Sequence, residues 1–398
     1  MIPFAKRMDY MAGSAEVIKN LFKAMGDPET ISFGGGAPAR ETLPAKELAE
    51  IAHDLFSAED FGARMLQYGH PEGERELREV VAEYLLQPKG VQASPDEIMI
   101  VNGGLETMNL MCQVFIDPGD VILVEEPTFV HCVEIFEMFE AKCVAVRTDD
   151  EGMDPVDVEA KIQQFSPKFV YVIPTFQNPS GRTLSLERRK KLAELGTQYD
   201  VIILEDDPYR DIRFEGEELP PIKSFDKSGN TVLANSFSKI FSAGARLGYV
   251  NAAPEILDKM YNAKTATNSQ TNTTLQLICA EIFRRGLFEE HLRNTRALYL
   301  ERRNVMLECI DRFFPEGTVR TTPQGGLFTW VQLPEGYDTT ALLKKAAEYK
   351  VAFVAGEAFF TDGGGKGKNC MRLSFGNVPP EKIRIGMERL GRLINEYK

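Results

Sequence analysis

The sequence is poor in the residues from which metal centres and disulfide frameworks are built. It has four histidines and six cysteines in 398 residues. The cysteines (Cys112, Cys132, Cys143, Cys279, Cys309 and Cys370) are scattered without a C-x-x-C pair. No metal site and no disulfide scaffold is signalled, and reduced, mostly buried thiols are expected. Long apolar runs are missing as well, because charges interrupt each one before it reaches bilayer-spanning length. The opening residues Met1-Ile2-Pro3-Phe4-Ala5-Lys6-Arg7 lack the apolar stretch of a secretory signal, so the expected location is the cytoplasm, away from membranes. There is no basic block either. A formal net charge of −13 repels phosphate backbones and argues against a nucleic-acid partner.

What is present is an ordinary globular balance, with 43% hydrophobic and 26% charged residues. The length suits two domains on a prior of roughly 100 to 200 residues each. Between about residues 97 and 251, short β-branched runs alternate with helical patterns: Glu97-Ile-Met-Ile-Val101, Val121-Ile-Leu-Val124, Phe169-Val-Tyr-Val-Ile173, Val201-Ile-Ile-Leu204 and Thr231-Val-Leu-Ala234. Residues 184–199 read as a helix between two of them, with Leu192, Leu195 and Tyr199 on its apolar side. This is the α/β signature of a mainly parallel sheet with helices on both faces. From about Glu281 a long charged helical run extends through Phe314, and the strand-like Leu327-Phe-Thr-Trp-Val331 follows. A smaller α+β domain is expected there. The first forty or so residues, with an amphipathic segment at 15–24, are expected to pack on that smaller domain. Gly363-Gly-Gly-Lys-Gly367 reads as a surface loop.

Four features at strand ends carry chemistry. Lys239, in Ser236-Phe237-Ser238-Lys239 after the strand at 231–234, suits an amine that forms a Schiff base with an aldehyde. Taken alone, a lysine near a turn is a solvated lysine. Ser236 and Ser238 can donate hydroxyl hydrogen bonds to an anion, and Arg246 offers a planar fork for phosphate. Asp206, in Asp206-Asp207-Pro208-Tyr209, ends a buried strand, where a carboxylate is costly unless paired; a pyridinium nitrogen is a suitable partner. Tyr209 can reach the phenolic oxygen of such a ring, as can Asn178 from Pro174-Thr-Phe-Gln-Asn178-Pro179-Ser-Gly181. Asn102-Gly103-Gly104-Leu105 is a glycine turn before a helix, whose N–H groups can cradle phosphate.

Together, Asn178-Pro179, Asp206-x-x-Tyr209, Ser236-x-Ser238-Lys239 and Arg246 resemble the class I and II aminotransferases of fold type I. The similarity extends to Tyr68-Gly69, Pro71-Glu-Gly73 and Met371-Arg372-Leu373-Ser374-Phe375. Ile31-Ser-Phe-Gly-Gly-Gly36 and Val351-Ala-Phe-Val354 place it nearest the branch of 2-aminoadipate, aromatic and branched-chain enzymes. The resemblance implies an N-terminal segment (1–45) packing on the small domain, a cofactor-binding large domain (46–285) with a seven-stranded-type sheet, and a small C-terminal domain (286–398). It implies pyridoxal 5'-phosphate held by Lys239 as an internal aldimine, with Asp206 on the ring nitrogen, Asn178 and Tyr209 on the phenolic oxygen, and Phe129 stacked on the ring. Phosphate falls to Gly104, Leu105, Ser236, Ser238 and Arg246, with Tyr68 reaching over from the partner subunit of a homodimer. Arg372, Gly36 and Asn178 would bind the substrate, Arg372 through its α-carboxylate.

The expected reaction is ping-pong transfer of an amino group from an amino acid to a 2-oxo acid. Departures from the family pattern are Gly104-Leu105, where many members place a hydroxyl or amide side chain, and Ala355-Gly356 in place of proline-glycine. Lys19 lies where some relatives read the substrate side chain. Lyase or decarboxylase chemistry on the same fold stays open, as does an aminotransferase-like sensor domain in a regulator. A nicotinamide reading of Gly34-x-Gly36-x-x-Ala39 fails, because Pro38 and Pro44 disrupt the helix that should follow.

Overall fold

The computed structural model describes residues 4–5, 7–10, 27–361 and 365–397. Lys19, the amphipathic segment at 15–24, and Gly363 and Gly364 lie outside the described residues.

Seven strands form the central sheet: β1 (Ile98–Val101), β2 (Val121–Glu125), β3 (Lys142–Val146), β4 (Phe169–Val172), β5 (Ile202–Asp206), β6 (Thr231–Ser236) and β7 (Gly248–Asn251). Their spatial order is β1-β7-β6-β5-β4-β2-β3. All neighbours run parallel except β7, which lies antiparallel between β1 and β6. Strands β1, β4, β6 and β7 are buried at every position. Their continuous apolar runs follow from helices on both faces, which leave no solvent side to alternate with. One face packs Met99, Val101, Tyr171, Leu204 and Val232 against Met108, Met111 and Phe136. The other packs Leu123, Val170, Val172 and Ile203 against Val158, Leu192 and Leu195.

Strand β7 has an effect on the site that its length does not suggest. Gly248 faces Val101 on one side and Ser236 on the other. A Cβ there would come within 2.8 Å of the Asn235 carbonyl and 3.1 Å of Gly103. Only glycine lets the 102–104 turn approach the end of β6 this closely.

A second, antiparallel sheet runs β8 (Val319–Arg320), β9 (Phe328–Gln332), β11 (Cys370–Ser374), β10 (Val354–Ala355) in space. Ile31–Ser32 pairs in parallel with Val351–Ala352, and the Ser374 N–H donates to the Phe33 carbonyl at 2.8 Å, so the segment before residue 45 is tied to this sheet. The helical run expected from Glu281 through Phe314 is two helices, Thr273–Arg284 and Phe288–Phe313. The break falls at Gly286, whose φ of +70° is a helix-ending conformation open to glycine. Strands β3 and β7 had no counterpart in the sequence reading. Among the described residues no helix is long and apolar enough to cross a membrane, and no group of three acidic, histidine or cysteine side chains could hold a metal.

Candidate active site

The site lies where strands β1, β5 and β6 end, against the second sheet. This is where an open α/β sheet leaves a crevice.

Lys239 follows β6 in the turn after Ser236, and its Nζ donates to the Gly36 carbonyl at 2.8 Å. Burial, and then the positive charges of Arg246 and Arg372, lower its pKa from 10.5 to about 8. Such an amine is neutral often enough near physiological pH to act as nucleophile and base.

Beneath it, Asp206 ends β5 and is 7% exposed. Burial pushes its pKa up to about 7, opposed by a hydrogen bond from the Tyr171 hydroxyl and reinforced by Asp207. That hydroxyl donates to Asp206 Oδ2 at 2.8 Å. No lysine or arginine among the described residues forms an ion pair with Asp206, which leaves the buried carboxylate open to a cationic partner. Tyr209, three residues on, is buried, hydrogen-bonds with Asn178, and sits edge-on to Phe328 at 5.8 Å.

Arg372 comes from β11 of the second sheet. Its Nη1 donates to Asn178 Oδ1 at 2.7 Å and its Nη2 to the Gly34 carbonyl at 2.6 Å. The guanidinium lies over the Phe328 ring at 4.3 Å and the Phe359 ring at 5.1 Å. Its Nε has no protein partner, and burial lowers its pKa to about 10. A desolvated, planar cation with an unused donor is suited to a carboxylate. The loop bearing Asn178 is itself pinned by fully buried Arg189, which donates to the carbonyls of Leu184 at 3.0 Å, Pro220 at 3.1 Å and Pro174 at 2.7 Å.

The anion-binding corner is built from main chain as much as side chain. Gly103, at φ +81°, precedes the helix Gly104–Phe115, whose first-turn N–H groups at Gly104 and Leu105 are left without a side-chain cap. Ser236 Oγ donates to Ser238 Oγ at 3.0 Å. Arg246 reaches Ser238 Oγ at 3.4 Å and the Asn102 carbonyl at 3.3 Å. A Cβ on Gly103 would fall 2.4 Å from Arg246 Nη2. Phe129 precedes the helix Val130–Met138 and meets His131 edge-on at 5.2 Å. Gly36 presents its carbonyl to Lys239, and a Cβ there would stand 2.9 Å from Phe328. Tyr68 stands apart from these contacts and is 87% exposed.

Tyr171, Phe328 and the Gly34 carbonyl escaped the sequence reading. A tyrosine inside an otherwise apolar buried strand was the available signal for the first, since its hydroxyl must find a partner. The other two emerge only from packing between sheets. The assembled donor set fits pyridoxal phosphate: a poised amine, an unpaired buried carboxylate, and an anion corner with a fixed arginine.

The family model described as "Aminotransferase class I and II" matches residues 11–390. The aromatic-amino-acid aminotransferase 1 of Thermococcus litoralis is 40% identical over 387 residues, 96% of this chain and 92% of that protein. A Pyrococcus horikoshii kynurenine aminotransferase, solved with PMP, superposes with a TM-score of 0.92 at 36% identity, covering 99% of this chain and 97% of the other. The Thermus thermophilus α-aminoadipate aminotransferase LysN, bound to N-(5'-phosphopyridoxyl)-L-leucine, gives 0.89 at 33% identity, covering 98% and 97%.

Proposed function

The chain belongs to the class I and II aminotransferases and is a pyridoxal-phosphate-dependent transaminase, and on that premise we propose which of its residues do the work. Bound through Lys239, pyridoxal phosphate supplies the aldehyde that takes up the amino group and the ring that delocalises the electron pair released when the α-proton leaves. Arg372 binds the α-carboxylate of the amino acid through guanidinium N–H groups that Asn178 and Gly34 leave unused, and thereby aims the α-carbon at Lys239. With the cofactor bound, the Lys239 amine would be the base that takes and holds the α-proton; its depressed pKa supports that role near neutrality. Asp206 would face the ring nitrogen and favour its protonated form, while Asn178 and Tyr209 would hold the phenolic oxygen and Phe129 would cover the ring face. Gly104, Leu105, Ser236, Ser238 and Arg246 hold the phosphate, and Gly36 flanks the substrate.

The observation that carries this reading is the convergence on Lys239 of two arginines, Arg246 from the turn before β7 and Arg372 from β11, one placed for a phosphate and one for a carboxylate. The large aromatic surfaces of Phe328 and Phe359 beside Arg372, and the named activity of the Thermococcus relative, support aromatic and other bulky amino acids as donors. The enzyme works as a homodimer in which the partner's Tyr68 completes each phosphate site, a role that its exposure supports. Division into a 46–285 large domain and a 286–398 small domain, with 1–45 on the latter, fits the two sheets. The six free cysteines support a reducing compartment such as the cytoplasm.

A panel of amino donors assayed against 2-oxoglutarate tests the assignment. Turnover of aromatic donors with formation of glutamate is expected. Release of ammonia or carbon dioxide without transfer would replace it with a lyase or decarboxylase.

A further inference from the structure

On the same face of β4 as Phe169, Tyr171 stands opposite Leu204 of β5, which puts Asp206 one diagonal step along on that face. Both the Tyr171 side chain and Cys132, on the helix Val130–Met138, are wholly buried, so no water can take over their contacts. The Tyr171 oxygen lies 2.8 Å from Asp206 Oδ2 and 3.1 Å from Cys132 Sγ. A phenol carries a single proton. Burial and the adjacent Asp206 hold that proton on Tyr171 far above its ordinary range, so the hydroxyl donates toward the acid. Cys132, whose thiol burial likewise keeps protonated, is then left to donate its S–H to the Tyr171 oxygen. The chain runs one way: thiol to phenol to carboxylate.

We propose that Tyr171, backed by Cys132, is a positioning residue that fixes the orientation and ionisation of Asp206 and so sets the protonation of the cofactor's ring nitrogen. This rests on the assignment of Asp206 to that nitrogen. Hydrogen bonds in series polarise one another, and a desolvated strand face strengthens each. Among the described residues, the hydrogen bond from Tyr171 holds the acidity of Asp206 up against burial and Asp207. Without it the carboxylate keeps its proton more tightly, takes the shared proton from the ring, and loses one of the contacts that set its rotation.

The test uses the holoenzyme and three variants, Tyr171→Phe, Cys132→Ala and Phe169→Leu. The last removes packing against the same Phe136 ring, which lies 5.6 Å from Phe169 and 5.4 Å from Tyr171, and leaves the hydrogen bonds alone. Three quantities are read: the pH titration of the cofactor's visible absorbance, kcat and KM for the amino donor, and thermal stability. For Tyr171→Phe the expected result is a shifted spectral titration with kcat lower by roughly ten- to hundredfold, the loss of one hydrogen bond to a charged group, and KM little changed. Cys132→Ala should give a smaller shift in the same direction, and Phe169→Leu should lose stability with its spectrum unmoved. A Tyr171→Phe enzyme that loses stability like Phe169→Leu but titrates and turns over like wild type overturns the proposal. Wild-type enzyme that transaminates while Asp206→Asn titrates like wild type would instead remove the assignment of Asp206 on which it rests.

Discussion

Arg372 and Asn178 meet at 2.7 Å across the boundary between the two sheets, one from β11 and the other from the loop after β4. The contact means that the cation assigned to the substrate carboxylate and the group assigned to the ring's phenolic oxygen take their positions from each other.

Arg372→Lys should therefore disturb more than charge. A lysine cannot reach Asn178, the Gly34 carbonyl and both oxygens of a carboxylate at once. KM for the amino donor should rise by roughly ten- to hundredfold, the scale of one charge-assisted hydrogen bond, with the cofactor's absorbance retained. Steady-state kinetics with matched circular dichroism checks this.

Lys239 should be the fastest-reacting lysine in cofactor-free protein below pH 9. Its amine becomes neutral through about pH 8, whereas exposed lysines remain protonated until about 10.4. Limited acylation followed by peptide mass spectrometry across pH 6 to 10 would locate the midpoint, and bound cofactor should abolish the reaction. Lys239→Ala should lower turnover by at least roughly 10²- to 10⁴-fold, the ordinary scale of general base catalysis.

Asp206 couples pH to the stability of cofactor-free protein. Its folded pKa of about 7 lies above the unfolded value of 3.8, so between those values the folded chain holds the extra proton. The stabilisation from that proton is complete below pH 3.8 and is lost as pH rises through 7. The neutral amide in Asp206→Asn does not titrate. Unfolding free energies of wild type minus variant should fall steadily from pH 4 to 8 in denaturant titrations, and a flat difference would contradict the assignment of that shift.

Gly103→Ala should loosen the phosphate corner. A Cβ at φ +81° and ψ 167° costs about 1 to 3 kcal/mol in backbone strain and would drive Arg246 away from Ser238. A lower melting temperature should accompany weaker cofactor binding, measured by absorbance titration of apo-protein.

Much of the site was legible because its residues follow strands in order. Lys239, Asp206, Asn178 and the Gly103 turn each sit just beyond an apolar run, and a buried strand end is an expensive place for a charge. Strand β7 was not legible. Four residues running against the direction of their neighbours carry no periodicity of their own, and Gly248 reveals its purpose only through what lies on either side. Tyr171 was hidden for a related reason: its link to Asp206 depends on the register between β4 and β5. Phe328 and the Gly34 carbonyl depend on how the second sheet meets the first, which chain order does not encode.

Arg189 ties together stretches of chain that lie far apart in sequence. Because one guanidinium holds carbonyls before, after and beyond the loop at 174–184, that wall cannot give way at one point without releasing the others. A substitution that removes the Arg189 guanidinium would loosen the whole wall and not a single contact. Libraries meant to change which amino acid is accepted should spare the Asn178 wall, and at Gly36 and Phe359 should stay close in size, because a Cβ on Gly36 would stand 2.9 Å from Phe328 and Phe359 is itself buried.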